Sequence, residues 1–273
     1  MVNVDLVFIV LVYRNETDLM SLMTNLQNRI NQSYKVVVVN SYYDEESETK
    51  IKNIAQLYNG DFISVPNKGY GAGNNAGVAY AKSKYHFEFL VVCNPDTEII
   101  HFDYNDLMNK QNYVVAPEIV TLNHKKQNPF RLIGLKSLDK IKYTAFKDKK
   151  YFLLYIDIII NKIAKVINRQ VNKIASRRVI PIYSCHGSFF IIGNAALEQL
   201  GELFNEEMFL FAEEDHLAKL CEYKMVSILM LPNIQVLHKE DGSMQYVKEN
   251  NMALTGTSYK VYYEYWYHRR KSN

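Results

Sequence analysis

Between Ile158 and Leu197 the chain has no Asp or Glu, it has no glycine before Gly60, and it has no apolar run near the roughly 18 residues of a membrane span. The last absence argues against a spanning segment. The missing early glycine argues against a glycine-rich phosphate loop after the first strand. The missing acids leave Lys162, Lys165, Arg169, Lys173, Arg177 and Arg178 uncompensated in sequence, a stretch suited to an anionic surface. Cysteine is scarce as well. Cys93, Cys185 and Cys221 are odd in number and scattered, which excludes a disulfide framework and any zinc spacing and fits a reducing cytoplasm. A net charge of only +3 does not suggest a nucleic-acid binder. No basic leader precedes the first apolar stretch, which contains Asp5 and reads as a strand rather than a signal peptide.

What is present is the composition of a globular domain, 48% hydrophobic and 22% charged over 273 residues. Residues 1–117 alternate short apolar runs with helical periodicity. Leu6–Tyr13, Val36–Val39, Phe62–Val65, Phe87–Cys93 and Val114–Pro117 read as five buried strands. Leu19, Leu22, Met23, Leu26 and Ile30 mark a first helix, Ile51, Ile54, Ala55 and Tyr58 a second, and Gly73–Ser83 a third. This alternation predicts a mostly parallel sheet covered on both faces. The middle, about 120–180, breaks the rhythm. There Ile156, Ile160, Ile163, Ile167, Val171 and Ile174 form one stripe, with the basic residues largely on the other face. Beyond Pro181 a strand is expected at Ser188–Ile192, helices at Ala195–Leu200 and Glu213–Cys221, and strands at Val226–Leu231 and Ile234–His238 around a Pro-Asn turn. Thr255–Arg270 is a Tyr-rich, basic helix candidate.

Four constellations could carry chemistry. Asn94-Pro95-Asp96 leaves the fourth strand at a sheet edge, where an Asp can hold a divalent cation or simply cap a turn. Asn67-Lys68-Gly69-Tyr70-Gly71-Ala72-Gly73-Asn74-Asn75-Ala76-Gly77 lies between a strand and a helix, suited to close backbone approach and to anions, or to a tight turn and cap. Its Gly71-x-Gly73-x-x-Ala76 matches a dinucleotide pattern but follows the third strand, not the first. Glu213-Glu214-Asp215 directly follows the apolar Phe209-Leu210-Phe211-Ala212; it is either an acidic helix start or a desolvated general base. His238 ends a strand, followed by Asp241-Gly242-Ser243, and could ligate the same cation or touch phosphate.

In order and spacing these segments resemble the family-2 glycosyltransferases of GT-A fold, nearest the bacterial rhamnosyl- and galactofuranosyl-transferase-like branch that builds surface polysaccharides. The resemblance covers Val4–Pro117 and Ser184–Ser243. It implies a Rossmann-like sheet flanked by helices, with a helical basic insert and a C-terminal helix. It places the nucleotide at Val12-Tyr13-Arg14-Asn15, and base or ribose at Asn40, where the family normally has Asp. It places the donor also at Asn67, Gly69, Gly73 and Asn74, and at Asn94 and Asp96, an Asp-x-Asp-like motif with Asn first. Gly187, Ser188 and Glu213 fall on the acceptor side, and Glu214 is the implied base with Asp215 its near competitor. Asp96 and His238 would hold Mg²⁺ or Mn²⁺.

The activity so implied is inverting transfer of one sugar from a UDP- or dTDP-linked donor to a saccharide or lipid-linked acceptor, for capsule, O-antigen or cell wall. The enzyme would be cytoplasmic and peripheral to the membrane's anionic inner face. The processive members' Gln-x-x-Arg-Trp motif is missing. The implied division is residues 1–120 for nucleotide sugar, 121–180 for the basic insert, 181–245 for acceptor and catalysis, and 246–273 for the aromatic, basic helix. Two alternatives stay open: a sugar-1-phosphate nucleotidyltransferase, and an inactive sugar-nucleotide- or lipid-binding module.

Overall fold

The computed structural model of the chain describes residues 1–175, 179–240 and 251–269. Gly242-Ser243, Arg177, Arg178, Arg270 and Lys271 lie outside these, as do the side chains of Arg169, Val171, Lys173 and Ile174. The first half alternates as its apolar pattern predicts. It runs β1 (Val2–Val12), α1 (Glu16–Arg29), β2 (Tyr34–Ser41), α2 (Glu45–Leu57), β3 (Asp61–Val65), α3 (Tyr70–Lys84) and β4 (Tyr85–Cys93). There follow β5 (Thr97–His101), β6 (Val114–Thr121), α4 (Lys136–Lys147), α5 (Leu154–Ala175), β7 (Ile180–Ile182) and β8 (Phe189–Gly193). The chain continues through α6 (Asn194–Leu200), α7 (Glu213–Tyr223), β9 (Ile228–His238) and α8 (Asn251–Tyr267).

Nine strands form one sheet in the order β3-β2-β1-β4-β8-β6-β9-β5, with β7 also on β9. β1–β4, β6 and β9 run one way; β5, β7 and β8 run against them. The sheet is therefore mostly parallel, with β8 inserted antiparallel between β4 and β6. The continuous apolar run of β1 is explained by burial on both faces. Leu6, Phe8 and Val10 pack with α1 and α2, while Val7 and Ile9 pack in the second core with Val78 of α3 and Leu217 of α7. A Cβ on Gly77 would overlap Ile9, and one on Gly73 would overlap Leu11, so α3 lies unusually close to β1.

Four features differ from the sequence expectation. Thr97–His101 is an additional edge strand, so Val114–Thr121 is the sixth and not the fifth. The two strands expected around Pro232-Asn233 are one strand, β9. Its register to β6 jumps between Leu231 and Gln235, a bulge that absorbs the proline's missing N–H. Helix α4 is an additional element, with Leu138, Ala145 and Phe146 buried at helical spacing. The Tyr-rich C-terminal helix, whose aromatics beside basic residues would also suit a membrane surface, packs them into the core: Tyr259, Tyr262, Tyr263, Trp266 and Tyr267 are buried.

Candidate active site

A cleft of about 950 Å³ opens at the carboxyl ends of β1, β2, β3 and β4, where the strand order reverses. Tyr13, Ser41, Asn67, Gly69, Asn94 and Asp96 line it, together with Gly187, Ser188, Glu213, Glu214, Asp215 and His238. Among the described residues, the structure thus gathers one or more members of all four constellations around a single space.

The remaining predicted positions lie behind that lining. Val12 is in the core under α1. Asn15 caps α1, accepting from the Asp18 N–H at 3.4 Å. Asn40 donates to Ser64 Oγ at 3.1 Å, and its Oδ1 is buried without a hydrogen-bond partner. Gly73 and Asn74 face β1 and the helix backbone, Asn74 donating to the Tyr70 carbonyl at 3.0 Å. The neighbouring Asn75 has a role that sequence reading left unassigned. Its amide donates to the Phe204 carbonyl at 2.9 Å and accepts the Phe204 N–H at 3.2 Å, tying α3 to the segment before the acids.

Gly69 has φ 103°, and a Cβ there would overlap the Phe209 carbonyl. The Tyr70 N–H donates to that carbonyl at 2.9 Å, and the Tyr70 hydroxyl donates to the Gly187 carbonyl at 2.7 Å. Tyr70 therefore joins three cleft-lining segments. Phe211 (φ 74°) and Ala212 (φ 69°) are consecutive left-handed residues immediately before the acid run. Such residues cost about 1–3 kcal/mol each and cluster at functional sites.

The three acids have distinct states. Asp215 accepts from Arg131 and from Lys142, each at 2.7 Å. These two cations outweigh its burial and hold its carboxyl down to about 2. It is a fixed charge, poorly suited to take a proton near neutrality. Glu214 accepts a long bond, 3.3 Å, from the Gly187 N–H, and burial raises its carboxyl above the ordinary value. Glu213 is 4% exposed with Oε1 unpartnered; burial first, then Glu214, pushes it up to about 8. A base poised toward neutrality is the state that general base catalysis favours.

Glu213, protonated in the fold, stabilises at acid pH; that contribution is lost as pH rises from its ordinary 4.5 through about 8. Glu213→Gln is therefore expected to lose less Tm than the parent between about pH 5 and pH 9, read by thermal melts. An unchanged pH slope would contradict this.

In the same cleft, Asp96 is 3% exposed and its Oδ1 has no partner. Its Oδ2 lies 3.4 Å from His238 Nε2. Gln127 sets the tautomer. Its amide N–H donates to Glu240 at 3.0 Å, so its oxygen faces His238 Nδ1 at 2.8 Å, and Nδ1 carries the hydrogen. Nε2 and Oδ2 then face each other with lone pairs, an arrangement completed by a proton or by a cation. A carboxylate oxygen and an imidazole nitrogen so placed are donors that fit a divalent metal. Among the described residues no three His, Cys, Asp or Glu side chains group as a self-sufficient metal site.

The sequence also gave no warning of the buried network behind Asp215. Arg131, 3% exposed, reaches Asp157 of α5 at 2.8 Å and Asp139 of α4 at 3.5 Å besides Asp215. Tyr259, Tyr262 and Tyr267 all donate to Asp139, at 3.0, 2.9 and 2.6 Å. Arg131→Met removes the cation shared by three buried or half-buried carboxylates, leaving Asp215 with Lys142 and Asp139 with its tyrosines, and is expected to lower stability by about 3–5 kcal/mol, measured by denaturant unfolding. A change below about 1 kcal/mol would place the network outside the fold's stability.

No family profile matches the chain. It is similar to the low-salt glycan biosynthesis hexosyltransferase Agl10 of Haloferax volcanii, 25% identical over 249 residues, which is 86% of this chain and 67% of that protein. It is also similar to the rhamnosyltransferase WbbL of Escherichia coli, 23% identical over 237 residues, 85% of this chain and 83% of that one. Its fold superposes on a crystal structure of GalNAc-T7 with UDP, GalNAc and Mn²⁺ at TM-score 0.61, with 12% identity, over 98% of this chain and 49% of that chain. It superposes on S. aureus TarS at TM-score 0.55, with 12% identity, over 98% of this chain and 44% of that chain. The chain thus spans about half the length of the solved structures it matches.

Proposed function

We propose that this chain, a glycosyltransferase of the family-2 type on the GT-A fold, moves one sugar per turnover from a nucleotide sugar to a saccharide acceptor in glycan synthesis, with inversion. One observation carries the reading: an elevated carboxylate, Glu214, and a cation-ready pair, Asp96 and His238, line one cleft at the sheet's switch point. The acceptor hydroxyl attacks the anomeric carbon. Its oxygen bonds to that carbon as the carbon–phosphate oxygen bond breaks, and Glu214 takes the hydroxyl proton. Gly187 N–H holds Glu214, and Asp215, locked by Arg131 and Lys142, fixes the helix start that carries it. Asp96 and His238 would hold Mg²⁺ or Mn²⁺, whose chemistry there is to neutralise charge on the leaving diphosphate. The GalNAc-T7 neighbour was crystallised with UDP and Mn²⁺, which favours this choice.

On the donor side, Tyr13 packs edge-on to Tyr43 at 5.8 Å and Arg14 lies 3.8 Å over the same ring, a stack where the nucleotide base would sit. Ser188 and Gly187 link Asn94 to Glu214: Asn94 N–H donates to the Ser188 carbonyl at 2.8 Å, and Gly187 N–H donates to Glu214 at 3.3 Å. The proposal keeps the division into residues 1–120, 121–180, 181–245 and 246–273. It also keeps a lipid-linked acceptor at the anionic inner face of the membrane. No helix among the described residues is long and apolar enough to cross a membrane.

The test is turnover. Nucleoside diphosphate release is followed from UDP- and dTDP-sugars with Mn²⁺, with and without a saccharide acceptor. Release from one nucleotide class, accelerated by acceptor, supports the proposal. No release from any donor favours the inactive binding module.

A further inference from the structure

Helix α5 turns its apolar side outward. Phe152, in the turn before it, is 67% exposed, and Ile159, Ile163, Val166 and Ile167 are 54–59% exposed. The opposite side of the helix is tied to the body of the protein: Asp157 pairs with Arg131 at 2.8 Å, and Asn161 donates to the Phe130 carbonyl at 3.0 Å. The exposed stripe is thus held in place by polar anchors on its other side. One turn away, Leu154 and Ile158 of the same helix line the cleft with Phe130, Phe146 and Leu254. The cleft therefore combines polar lining, as at Asp96 and Tyr13, with apolar lining that α5 shares with its exposed stripe. A nucleotide sugar and a saccharide need no such apolar wall; a hydrocarbon chain does.

We infer that α5, with the aromatic turn before it, docks on an anionic lipid bilayer and sets the apolar lining of the cleft at the lipid surface. Docking of this kind presupposes the lipid-linked acceptor proposed above. Charge selects the occupant. The only acid on α5 is Asp157, already paired, while Lys162 is exposed on the helix and the sequence stays free of Asp and Glu to Leu197. A second copy on the same face would bring these basic stretches together without acids to oppose them. Anionic headgroups oppose them directly, and Tyr151, Phe152 and Tyr155, all exposed, suit the headgroup level.

The experiment uses the full chain and vesicles of phosphatidylglycerol or of phosphatidylcholine. Co-sedimentation with phosphatidylglycerol is expected, weakened by salt. It should fall at least about tenfold in the double variant Ile159→Glu, Ile163→Glu. Both positions are exposed and outside the cleft, so Tm and the slow release of nucleoside diphosphate without acceptor should be unchanged. Equal sedimentation of parent and variant, or none by the parent, overturns the inference. A dimer in light scattering that the double variant dissolves also overturns it, because the face is then covered by a second copy. If the chain binds vesicles in the expected manner yet releases no nucleoside diphosphate from any donor, docking stands and the transferase reading falls.

Discussion

Glu214→Gln is expected to lower transfer by roughly 10²–10⁴-fold, the range of a positioned general base, with nucleotide-sugar affinity nearly unchanged. The amide keeps the size of the side chain and can still accept the Gly187 N–H, so the backbone around α7 is retained. What is lost is the proton acceptor. The parent should also show an acid limb in its rate profile set by Glu214, above the ordinary carboxylate value because burial disfavours the charged form. Turnover falls as pH drops through that raised value. Asp215 cannot supply the limb, since its two cations hold it ionised down to about 2. Steady-state kinetics over pH, with donor affinity measured separately, checks both parts. Retained turnover in the variant would move the proton acceptor to Glu213.

Asp96→Asn is expected to abolish response to added Mn²⁺ and to cost several kcal/mol of transition-state stabilisation, about 10³-fold in rate. The unpartnered Oδ1 and the Oδ2 facing His238 Nε2 are the oxygens that a hard cation would take. The amide removes the negative charge and turns one of those positions into a donor. Excess chelator should reduce the parent to the level of the variant and leave the variant unaffected. Full activity of the parent in chelator would remove the metal from the account.

The β/α alternation was legible because strands buried on both faces are written as continuous apolar runs, and Leu6–Tyr13 and Phe87–Cys93 are such runs. The exits of those strands pointed to the cleft for the same reason: a polar residue after a buried strand lies at the sheet edge. Less was legible where the determinant is a distant partner. The Asn40 amide meets Ser64, 24 residues away on the neighbouring strand. Nothing local to Asp215 distinguishes it from Glu214; Arg131, 84 residues away in sequence, does. Gln127 has no motif around it, and its hold on His238 spans 111 residues. Tyr-rich α8 reads equally as an interface or a core, and Asp139, collecting three of its hydroxyls, decides for the core.

The most direct test of the central claim needs no acceptor. Thermal shift is measured for the parent chain against UDP-, dTDP- and GDP-sugars, each with and without Mn²⁺, because a ligand of the native state raises Tm by mass action. A Tm increase with one nucleotide class that requires Mn²⁺ and vanishes in Asp96→Asn is the predicted result. No increase with any nucleotide sugar, with or without the metal, would contradict it.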